Sequence, residues 1–210
     1  MIRLVVWRHG NTDWNASNRV QGQADVPLNH LGRQQAVDAA ELLIRLRPAA
    51  IVASDLRRAA DTAAALAART GLSVRYDPRL RERYFGPWQG MRMTEVAETR
   101  PDEYARWRAG VDVISDDIET LDDLGKRVAD ALLAAAELTP VGGTVVVATH
   151  GAAARQGIGH LLGWPREQLR TLRALQNCHW VELTHDRERG WQVAAYNVGP
   201  FADRPVPPPV

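Results

Sequence analysis

Short runs of almost wholly apolar residues alternate with helical patterns along most of this chain, and this alternation limits the fold more than any other feature. The run Ile2–Trp7 contains one charge, Arg3, and the run Thr144–Ala148 contains none. Runs of this length without polar alternation are typical of strands covered on both faces in a parallel sheet. We therefore predict an α/β protein, a three-layer α/β/α sandwich around a largely parallel central sheet.

The spacing of apolar and helix-capping residues predicts the remaining elements. Asn29 is a typical N-cap for a helix that runs to about Arg45, and Gly71 is a typical residue beyond the end of an alanine-rich helix. Further strands are expected over 50–53, 73–76, 179–183 and 191–196, the last two as a hairpin, and further helices over 56–69, 92–108 with a break at Pro101, 121–138 and 151–162. We expect a single domain over residues 1–199 and a flexible proline-rich tail over 200–210.

The composition fits a globular domain with an ordinary hydrophobic core. Of the 210 residues, 45% are hydrophobic and 24% are charged. A chain of this length buries enough apolar surface to fold without disulfides. The single cysteine, Cys178, excludes an internal disulfide and a zinc site built from paired cysteines. We expect it to be a small buried residue.

The charges of the chain are almost balanced. There are 26 basic and 25 acidic residues, for a net charge of +1, which argues against a nucleic-acid partner. The first apolar run is too short for the core of a signal sequence or for a membrane span. We therefore expect a cytoplasmic protein with no membrane partner that acts on a small molecule, with a homodimer left open.

Two of the buried strands end in the same residues, a histidine followed by a glycine. His9 and Gly10 follow the first strand, and His150 and Gly151 follow the strand at 144–148. In a parallel sheet, ligands bind at the carboxyl ends of the strands. Both imidazoles can therefore reach one site, although a lone histidine at a strand end is more often structural.

A third strand end adds positive charge to the same edge. The strand before Ser54 is followed by Arg57 and Arg58 at the start of a helix. A helix N-terminus attracts anions, and an arginine fork matches phosphate oxygens. Taken alone, Arg58 fits a solvated helix face. Together with Arg8 and the two histidines it predicts a pocket for a dianion.

The residues around these positions resemble the signature of the histidine phosphatase superfamily, which includes the cofactor-dependent phosphoglycerate mutases. Four blocks in the order of the family carry the resemblance. They are Arg8–Thr12 with Trp14–Asn15, Arg19–Gly22, Pro27–Leu28 and Leu31–Ala36; Ser54–Ala63; Leu80–Glu82 with Phe85–Gly90; and Thr149–Gly151. Four ordered blocks are far more specific than a bare Arg-His-Gly.

The resemblance implies a role for each matched residue, with no metal and no cofactor. The nucleophile would be His9, the proton donor Glu82, the core of the phosphate pocket Arg8, Arg58 and His150, and the further substrate contacts Asn15, Gln21, Gly22 and Gly151. In such enzymes a neutral imidazole attacks phosphorus and cationic donors stabilise the transition state. Glu82 would then protonate the leaving oxygen. The alternative for Glu82 is a surface carboxylate paired with Arg81 or Arg83.

Three positions depart from the family pattern. Asn11 replaces the usual Glu or Gln, and Asp55 stands where the family often has proline. The loop at 117–120 lacks the Gly-Gly-Glu-Ser common in the phosphatases, so its path is not predicted.

Three functions are compatible with these blocks: a phosphatase, a phosphoglycerate mutase and an inactive phospholigand-binding module. A mutase shields its intermediate with a longer insertion and a basic C-terminal lid. The region 92–119 lacks the paired prolines and arginines of mutases, although Trp107–Arg108 is a partial match, and the tail is rich in proline. We therefore favour the phosphatase. A binding module would have no need for the acid Glu82.

The substrate is expected to be a small phosphorylated metabolite. Arg19–Gln23 and Ser54–Arg58 are similar to an actinobacterial branch of the phosphatases whose substrate is a phosphorylated sugar derivative of glycerate. The many alanines and arginines suit a genome of that kind. Trp14, Tyr84 and Trp88 are candidates for a sugar-binding rim, although aromatic residues near loops are more often simple packing.

Overall fold

The computed structural model describes residues 1–113, 115 and 117–200. The predicted flexible tail lies, from residue 201 on, outside the described residues. In the described part, one sheet is formed by six strands: β1 (Ile2–Arg8), β2 (Pro48–Ala53), β3 (Val74–Tyr76), β4 (Thr144–Thr149), β5 (Trp180–Asp186) and β6 (Gly190–Val198).

Helices connect most of these strands. They are α1 (Asp13–Ala16), α2 (His30–Leu43), α3 (Arg57–Thr70), α4 (Met93–Thr99), α5 (Pro101–Arg108), α6 (Leu121–Ala136), α7 (Gly151–Leu161) and α8 (Arg166–Arg170), with short 3₁₀ turns at Ile44–Leu46, Pro78–Leu80 and Gly86–Trp88. Among the described residues, every helix is too short or too polar to cross a bilayer.

The sheet has the order β3-β2-β4-β1-β5-β6, with its first four strands parallel. The hairpin β5–β6 adds an antiparallel edge to β1. The prediction of a largely parallel sheet is therefore confirmed. Because β4 lies between β2 and β1, the ends of these three strands meet at one edge: Arg8 pairs with Thr149, and Ala53 pairs with Ala148.

Helices cover both faces of the sheet, as a three-layer sandwich requires. On β1, Leu4 and Val6 pack with residues of α6 and α7, while Val5 and Trp7 pack with residues of α2 and α3. This division follows from the two-residue period of a strand, which points successive side chains to opposite faces. The runs lack polar alternation because neither face contacts water.

The predicted helix caps are present, but two short helices were not predicted. Asn29 accepts a hydrogen bond from the Gly32 N–H at 2.8 Å, and Gly71 adopts a φ of 71° at the end of α3. Helix α2 ends at Leu43, earlier than the expected Arg45, because the chain tightens into the 3₁₀ turn Ile44–Leu46. Arg47 ends that turn in a left-handed conformation, and Pro48 opens β2 instead of ending the helix. Helices α1 and α8 have four and five residues, too few for an apolar period to show.

A smaller core lies beside the strand ends, around Trp88, Val96, Val113 and Ile118. The helices α4 and α5 belong to it, with Pro101 at the first position of α5. This position of proline is favourable because the missing N–H has no helical acceptor. The predicted break at Pro101 is confirmed, and both helices contribute residues to the lining of a cavity at the carboxyl ends of the strands.

The loop after β1 packs tightly on the start of α2, and this contact generates the first prediction. A Cβ on Gly32 would overlap the carbonyl oxygen of Asn11. We expect Gly32→Ala to lower the free energy of unfolding by about 1–3 kcal/mol, because backbone must move. Urea denaturation measures it. Gln34→Ala on the exposed side of α2 is the control and should change stability by less than about 0.5 kcal/mol; equal losses would refute the packing argument.

Candidate active site

A cavity of about 710 Å³ opens at the carboxyl ends of β1, β2 and β4. Its lining includes all of the predicted site residues except His150 and Gly151, namely Arg8, His9, Asn15, Gln21, Gly22, Arg58 and Glu82. The strand-end argument therefore correctly predicts where these side chains converge.

His9 is held at the floor of the cavity in a defined orientation. Its backbone N–H donates to Thr149 O at 2.9 Å, which ties the end of β1 to β4. Its Nδ1 lies 2.7 Å from Gly10 O. Because a carbonyl only accepts, Nδ1 carries the proton and Nε2 keeps a free lone pair. Burial, with the charges of Arg58 and Arg8, holds the pKa of His9 well below its ordinary value, so the ring is neutral.

Arg58 is completely buried, and each of its guanidinium nitrogens has a partner. Nε donates to His150 Nδ1 at 3.2 Å, Nη1 to Ala24 O at 2.8 Å and Nη2 to Gly22 O at 2.7 Å. Burial lowers its pKa to about 10, which leaves it charged. The alternative of a solvated helix face is therefore wrong. Because Arg58 lines the cavity and its guanidinium plane is fixed, the N–H bonds that have no partner are available to a ligand there.

Two polar atoms of the cavity have no hydrogen-bond partner among the described residues: Arg8 Nε and Gln21 Oε1. The other end of the Arg8 guanidinium donates to Leu175 O. A buried donor without an acceptor costs free energy unless a ligand supplies one. The free Nε–H of Arg8 beside Arg58 therefore indicates an anion site.

His150 lies one layer behind the cavity and does not line it. Its Nδ1 accepts from Arg58, and its Nε2 lies 2.9 Å from Ser54 Oγ. Since Nδ1 accepts, Nε2 is the protonated nitrogen and donates to Ser54. Burial and the Arg58 charge hold its pKa well below the ordinary value. In this arrangement His150 acts on the site through Arg58, and its predicted contact with phosphate stays a prediction.

The remaining predicted contacts differ in how directly they face the cavity. Asn15 Oδ1 accepts from the Thr12 N–H and from Asn177 Nδ2, at 3.2 and 3.3 Å, so its amide group is fixed at the rim. Gly22, with a φ of 52°, turns its carbonyl toward Arg58. Gly151 does not line the cavity, and a Cβ there would lie 3.5 Å from Arg8 Nε.

Glu82 points its carboxylate at the N-terminus of α7. Its oxygens accept from the backbone N–H groups of Arg83, Ala152 and Ala153 at 2.8, 3.1 and 2.9 Å. Its carboxylate is thus not paired with the Arg81 or Arg83 side chain: Arg81 pairs with Asp55, and Arg83 pairs with Asp112. The alternative of a paired surface carboxylate is wrong, and Glu82 lines the same cavity as His9.

The model of the histidine phosphatase superfamily (branch 1) matches residues 4–199 of this chain. The chain belongs to this family. The four blocks therefore identified the superfamily correctly. The prediction that the protein is a phosphoric monoester hydrolase is confirmed with it.

Two relatives and one solved structure locate the chain within the family. A glucosyl-3-phosphoglycerate phosphatase of Mycolicibacterium vanbaalenii is 39% identical over 96% of this chain and 90% of its own. A probable phosphoglycerate mutase of Citrobacter koseri is 36% identical over 85% and 82%. The structure of a mycobacterial glucosyl-3-phosphoglycerate phosphatase in complex with VO3 superposes with a TM-score of 0.87, at 36% identity, covering 94% and 99%.

Sequence reasoning missed a clamp that holds the Glu82 segment of this histidine phosphatase. Arg127 on α6 donates to the carbonyls of Arg79, Arg81 and Glu82 at 2.7, 2.7 and 3.0 Å. Glu119 fixes the same guanidinium through both carboxylate oxygens, at 2.5 and 2.8 Å. An exposed-looking arginine on a helix gave no signal of this in the sequence. The clamp fixes the backbone from which Glu82 projects.

Three small polar residues hold His9, Gly10 and His150 in place. Thr62 accepts from the Gly10 N–H at 3.1 Å, Asn177 donates to His9 O at 3.0 Å, and Ser54 accepts from His150. Thr62 and Ser54 lie inside a matched block, so the resemblance could have found them. Asn177 lies outside every block and beside Cys178, which is buried as expected, in a left-handed turn.

The aromatic residues at the cavity only partly match the expected rim. Trp14 lines the cavity as expected. Trp88 also lines it, but this side chain is 0% exposed, packs in the smaller core and donates through Nε1 to Glu103. Tyr84 is 45% exposed and does not line the cavity. Trp107, which was not expected at the rim, lines the cavity as well. The cavity lining thus contains three tryptophans.

The lowered pKa values of His9 and His150 predict how stability depends on pH. Below their ordinary value of 6.5 the unfolded chain binds protons that the buried rings do not. Stability is therefore constant above about pH 6.5 and falls as the pH decreases below it, by up to about 1.4 kcal/mol per pH unit for each ring. Urea unfolding between about pH 7 and pH 5 measures it.

Variants test whether the loss of stability at low pH comes from the rings of His9 and His150. His9→Asn with His150→Asn should flatten the acid side of the profile, whereas His30→Gln, which changes an exposed histidine, should leave it unchanged. A profile that stays equally steep in the double variant would show that the two rings are not buried neutral.

Proposed function

We propose that this histidine phosphatase hydrolyses a phosphomonoester without a metal ion, through a phosphohistidine at His9, and that its substrate is glucosyl-3-phosphoglycerate. The observation that carries the proposal is the neutral, buried His9 with a free Nε2 in a cavity lined by Arg8, Arg58 and Glu82. Nucleophile, anion site and acid line one cavity, which is what covalent phosphoryl transfer needs.

In the first step His9 Nε2 attacks phosphorus, and the ester P–O bond breaks. Charge spreads over the equatorial oxygens, where the guanidinium groups of Arg8 and Arg58 stabilise it. The leaving alkoxide takes a proton from Glu82. A bound dianion favours the protonated form of a neighbouring carboxyl, so substrate binding prepares the acid.

In the second step water cleaves the intermediate. Glu82, now ionised, removes a proton from the water as its oxygen attacks phosphorus, and the bond between His9 Nε2 and phosphorus breaks. Inorganic phosphate leaves, and Glu82 and His9 return to their starting states. The backbone donors of α7 keep the carboxylate in place through both steps.

The charge that a metal ion would supply comes from the chain itself. Arg58 is fully buried, and the half-buried Arg8 is fixed by its hydrogen bond to Leu175 O, so neither side chain has to reorganise as charge develops. Within residues 1–113, 115 and 117–200, no group of three or more His, Cys, Asp or Glu side chains is placed to hold a metal ion. We therefore propose activity in the presence of a chelator.

The shape of the cavity supports a substrate larger than phosphate. A volume of about 710 Å³ is within the usual range for metabolite sites. Trp14 and Trp107 border it, and tryptophan faces suit a sugar ring. Arg92 adds an exposed cation at the rim for the carboxylate of a glycerate. The names of the mycobacterial relatives favour the same substrate.

A phosphoglycerate mutase is the second candidate, because relatives of that name match at 36% identity. A mutase must keep water from the phosphohistidine, whereas this cavity is open to solvent on the side of Ser17 and Thr94. An inactive binding module is the third candidate, and the fixed Glu82 argues against it. The cytoplasmic location, the actinobacterial source and the homodimer stay predictions.

Product analysis tests the function. With EDTA present, the enzyme should release inorganic phosphate from glucosyl-3-phosphoglycerate, and should convert 3-phosphoglycerate to the 2-isomer at no more than a trace rate. Brief reaction with labelled substrate should trap an acid-labile phosphoryl group, which His9→Ala should abolish.

Each result decides between the candidates. Isomerisation faster than phosphate release would establish the mutase, and no turnover with normal phosphate binding would establish the module. Activity lost in EDTA and restored by magnesium or zinc would refute the metal-free mechanism. Circular dichroism of His9→Ala checks that the loss of label is not a loss of fold.

The leaving group tests Glu82 and its clamp. An alkyl phosphate needs a protonated leaving group, whereas p-nitrophenolate leaves without one. We expect Glu82→Gln to slow single-turnover phosphorylation on the order of 10²–10⁴-fold with the alkyl ester and much less with p-nitrophenyl phosphate. Arg127→Ala should show the same selective loss, smaller in size, because it only loosens the segment that carries Glu82.

Control variants distinguish this selective loss of rate with the alkyl ester from a general loss of activity. Arg58→Ala should slow both substrates by similar factors, because it removes charge stabilisation common to both. Lys126→Ala, an exposed neighbour of Arg127 on α6, should change neither rate. Equal losses on both substrates in Glu82→Gln would mean that another group protonates the leaving oxygen.

A further inference from the structure

A second cavity, of about 490 Å³, lies on the other side of two aromatic side chains from the active site. Phe85 and Trp107 line both cavities and so form the partition between them. The remaining walls come from the end of α5, the start of α6, and from α7 and α8. The reacting phosphate belongs to the first cavity, so nothing in the proposed function uses the second.

Five arginines line this second cavity, and its lining contains no acidic side chain among the described residues. They are Arg83, Arg108, Arg155, Arg166 and Arg170. One carboxylate, Asp112, contacts two of them, at 2.6 and 3.3 Å. Within the described part of the chain, the guanidinium groups of Arg108 and Arg155 make no hydrogen bond and no ion pair. Positive charge in a concave site is therefore far from balanced, and such a site concentrates anions.

An amide without a partner adds to the polar lining of the cavity. Gln156 on α7 lines the cavity and is 7% exposed. Its side-chain amide has no hydrogen-bond partner among the residues that the structure describes, so it can bond to an oxygen of a bound molecule. The amide N–H groups suit the oxygens of a phosphate or a carboxylate.

Part of the lining of the second cavity is apolar, and this favours an organic molecule over an inorganic anion as its ligand. Val111, Leu121 and Leu169 line it together with Trp107. Cations beside an apolar surface fit a small molecule that carries several negative groups on a carbon body.

We propose that this second cavity binds a small organic polyanion, separate from the reacting phosphate. The anionic groups contact Arg108, Arg155 and Gln156, and the carbon body lies against Trp107. Phosphate esters and polycarboxylates share the required charge, and the experiment distinguishes them. The site lies next to the segment that holds Glu82, since Ala152 lines the cavity and its N–H binds that carboxylate.

Calorimetric titration of the full chain with methylenebisphosphonate, and separately with citrate, tests the proposal. Methylenebisphosphonate has a P–C–P bond that a phosphatase does not hydrolyse. The wild type should bind two bisphosphonate molecules per chain, one in each cavity. Arg58→Ala should lose the active-site event and keep the other. Arg108→Ala and Arg155→Ala should each weaken the second event about tenfold, and Gln156→Leu should weaken it several-fold.

A matched pair of exposed arginines provides the control. Arg45→Ala and Arg75→Ala, made separately, each remove the same single charge from a distant surface position and should leave both binding events intact. Tighter second-site binding of bisphosphonate than of citrate assigns phosphate esters, and the reverse assigns polycarboxylates. A single event in the wild type that Arg58→Ala abolishes would overturn the proposal. So would a loss of affinity in the control pair equal to that of the Arg108 and Arg155 variants.

Because the second event is measured as binding, its result does not depend on the substrate proposed above. If Arg58→Ala does not fold, the Arg108 and Arg155 variants in the otherwise wild-type chain still decide the question. Each should weaken the second event about tenfold and leave the first event unchanged.

Discussion

The catalytic edge of this histidine phosphatase depends on one positive charge held out of water. Arg58 is fully buried, and two backbone carbonyls and a histidine ring accept its hydrogen bonds. A buried charge is costly unless it is well paired. Here the pairing is to dipoles instead of a carboxylate, so the charge stays available to a ligand. The bend at Gly22 and the tautomer of His150 both follow from the requirement that the buried guanidinium find hydrogen-bond acceptors.

The same charge explains why two histidines can share the site in neutral form. Each ring lies near Arg58, and each is buried, so protonation would add charge to a place already positive. A neutral His9 is a nucleophile, whereas a protonated one is not. In the proposed reaction, the arginine that binds the substrate therefore also keeps the attacking residue in its reactive form.

The sequence predicts the parts of the fold and site that rest on local or periodic signals. The buried strands, the Asn29 cap and the convergence of His9 with Arg58 follow from patterning and from the strand-end rule. Short helices such as α8 and long-range contacts such as the Arg127 clamp do not, because no period or motif encodes them. The placement of His150 behind Arg58 depends on the packing of Ser54, which requires three strands to be assembled first.

The hydrogen bond from His9 Nδ1 to the Gly10 carbonyl has a consequence for the energy profile of the reaction. In the proposed reaction, the ring becomes cationic when Nε2 bonds to phosphorus, and the Nδ1–H group becomes a stronger donor. A hydrogen bond that is moderate in the resting enzyme thus strengthens as the reaction proceeds, which is differential binding of the transition state. The partner is a peptide dipole next in sequence, fixed by Thr62 through the Gly10 N–H. The chain therefore obtains from its own backbone the imidazolium stabilisation that a carboxylate provides in a catalytic triad, and adds no negative charge beside the phosphate.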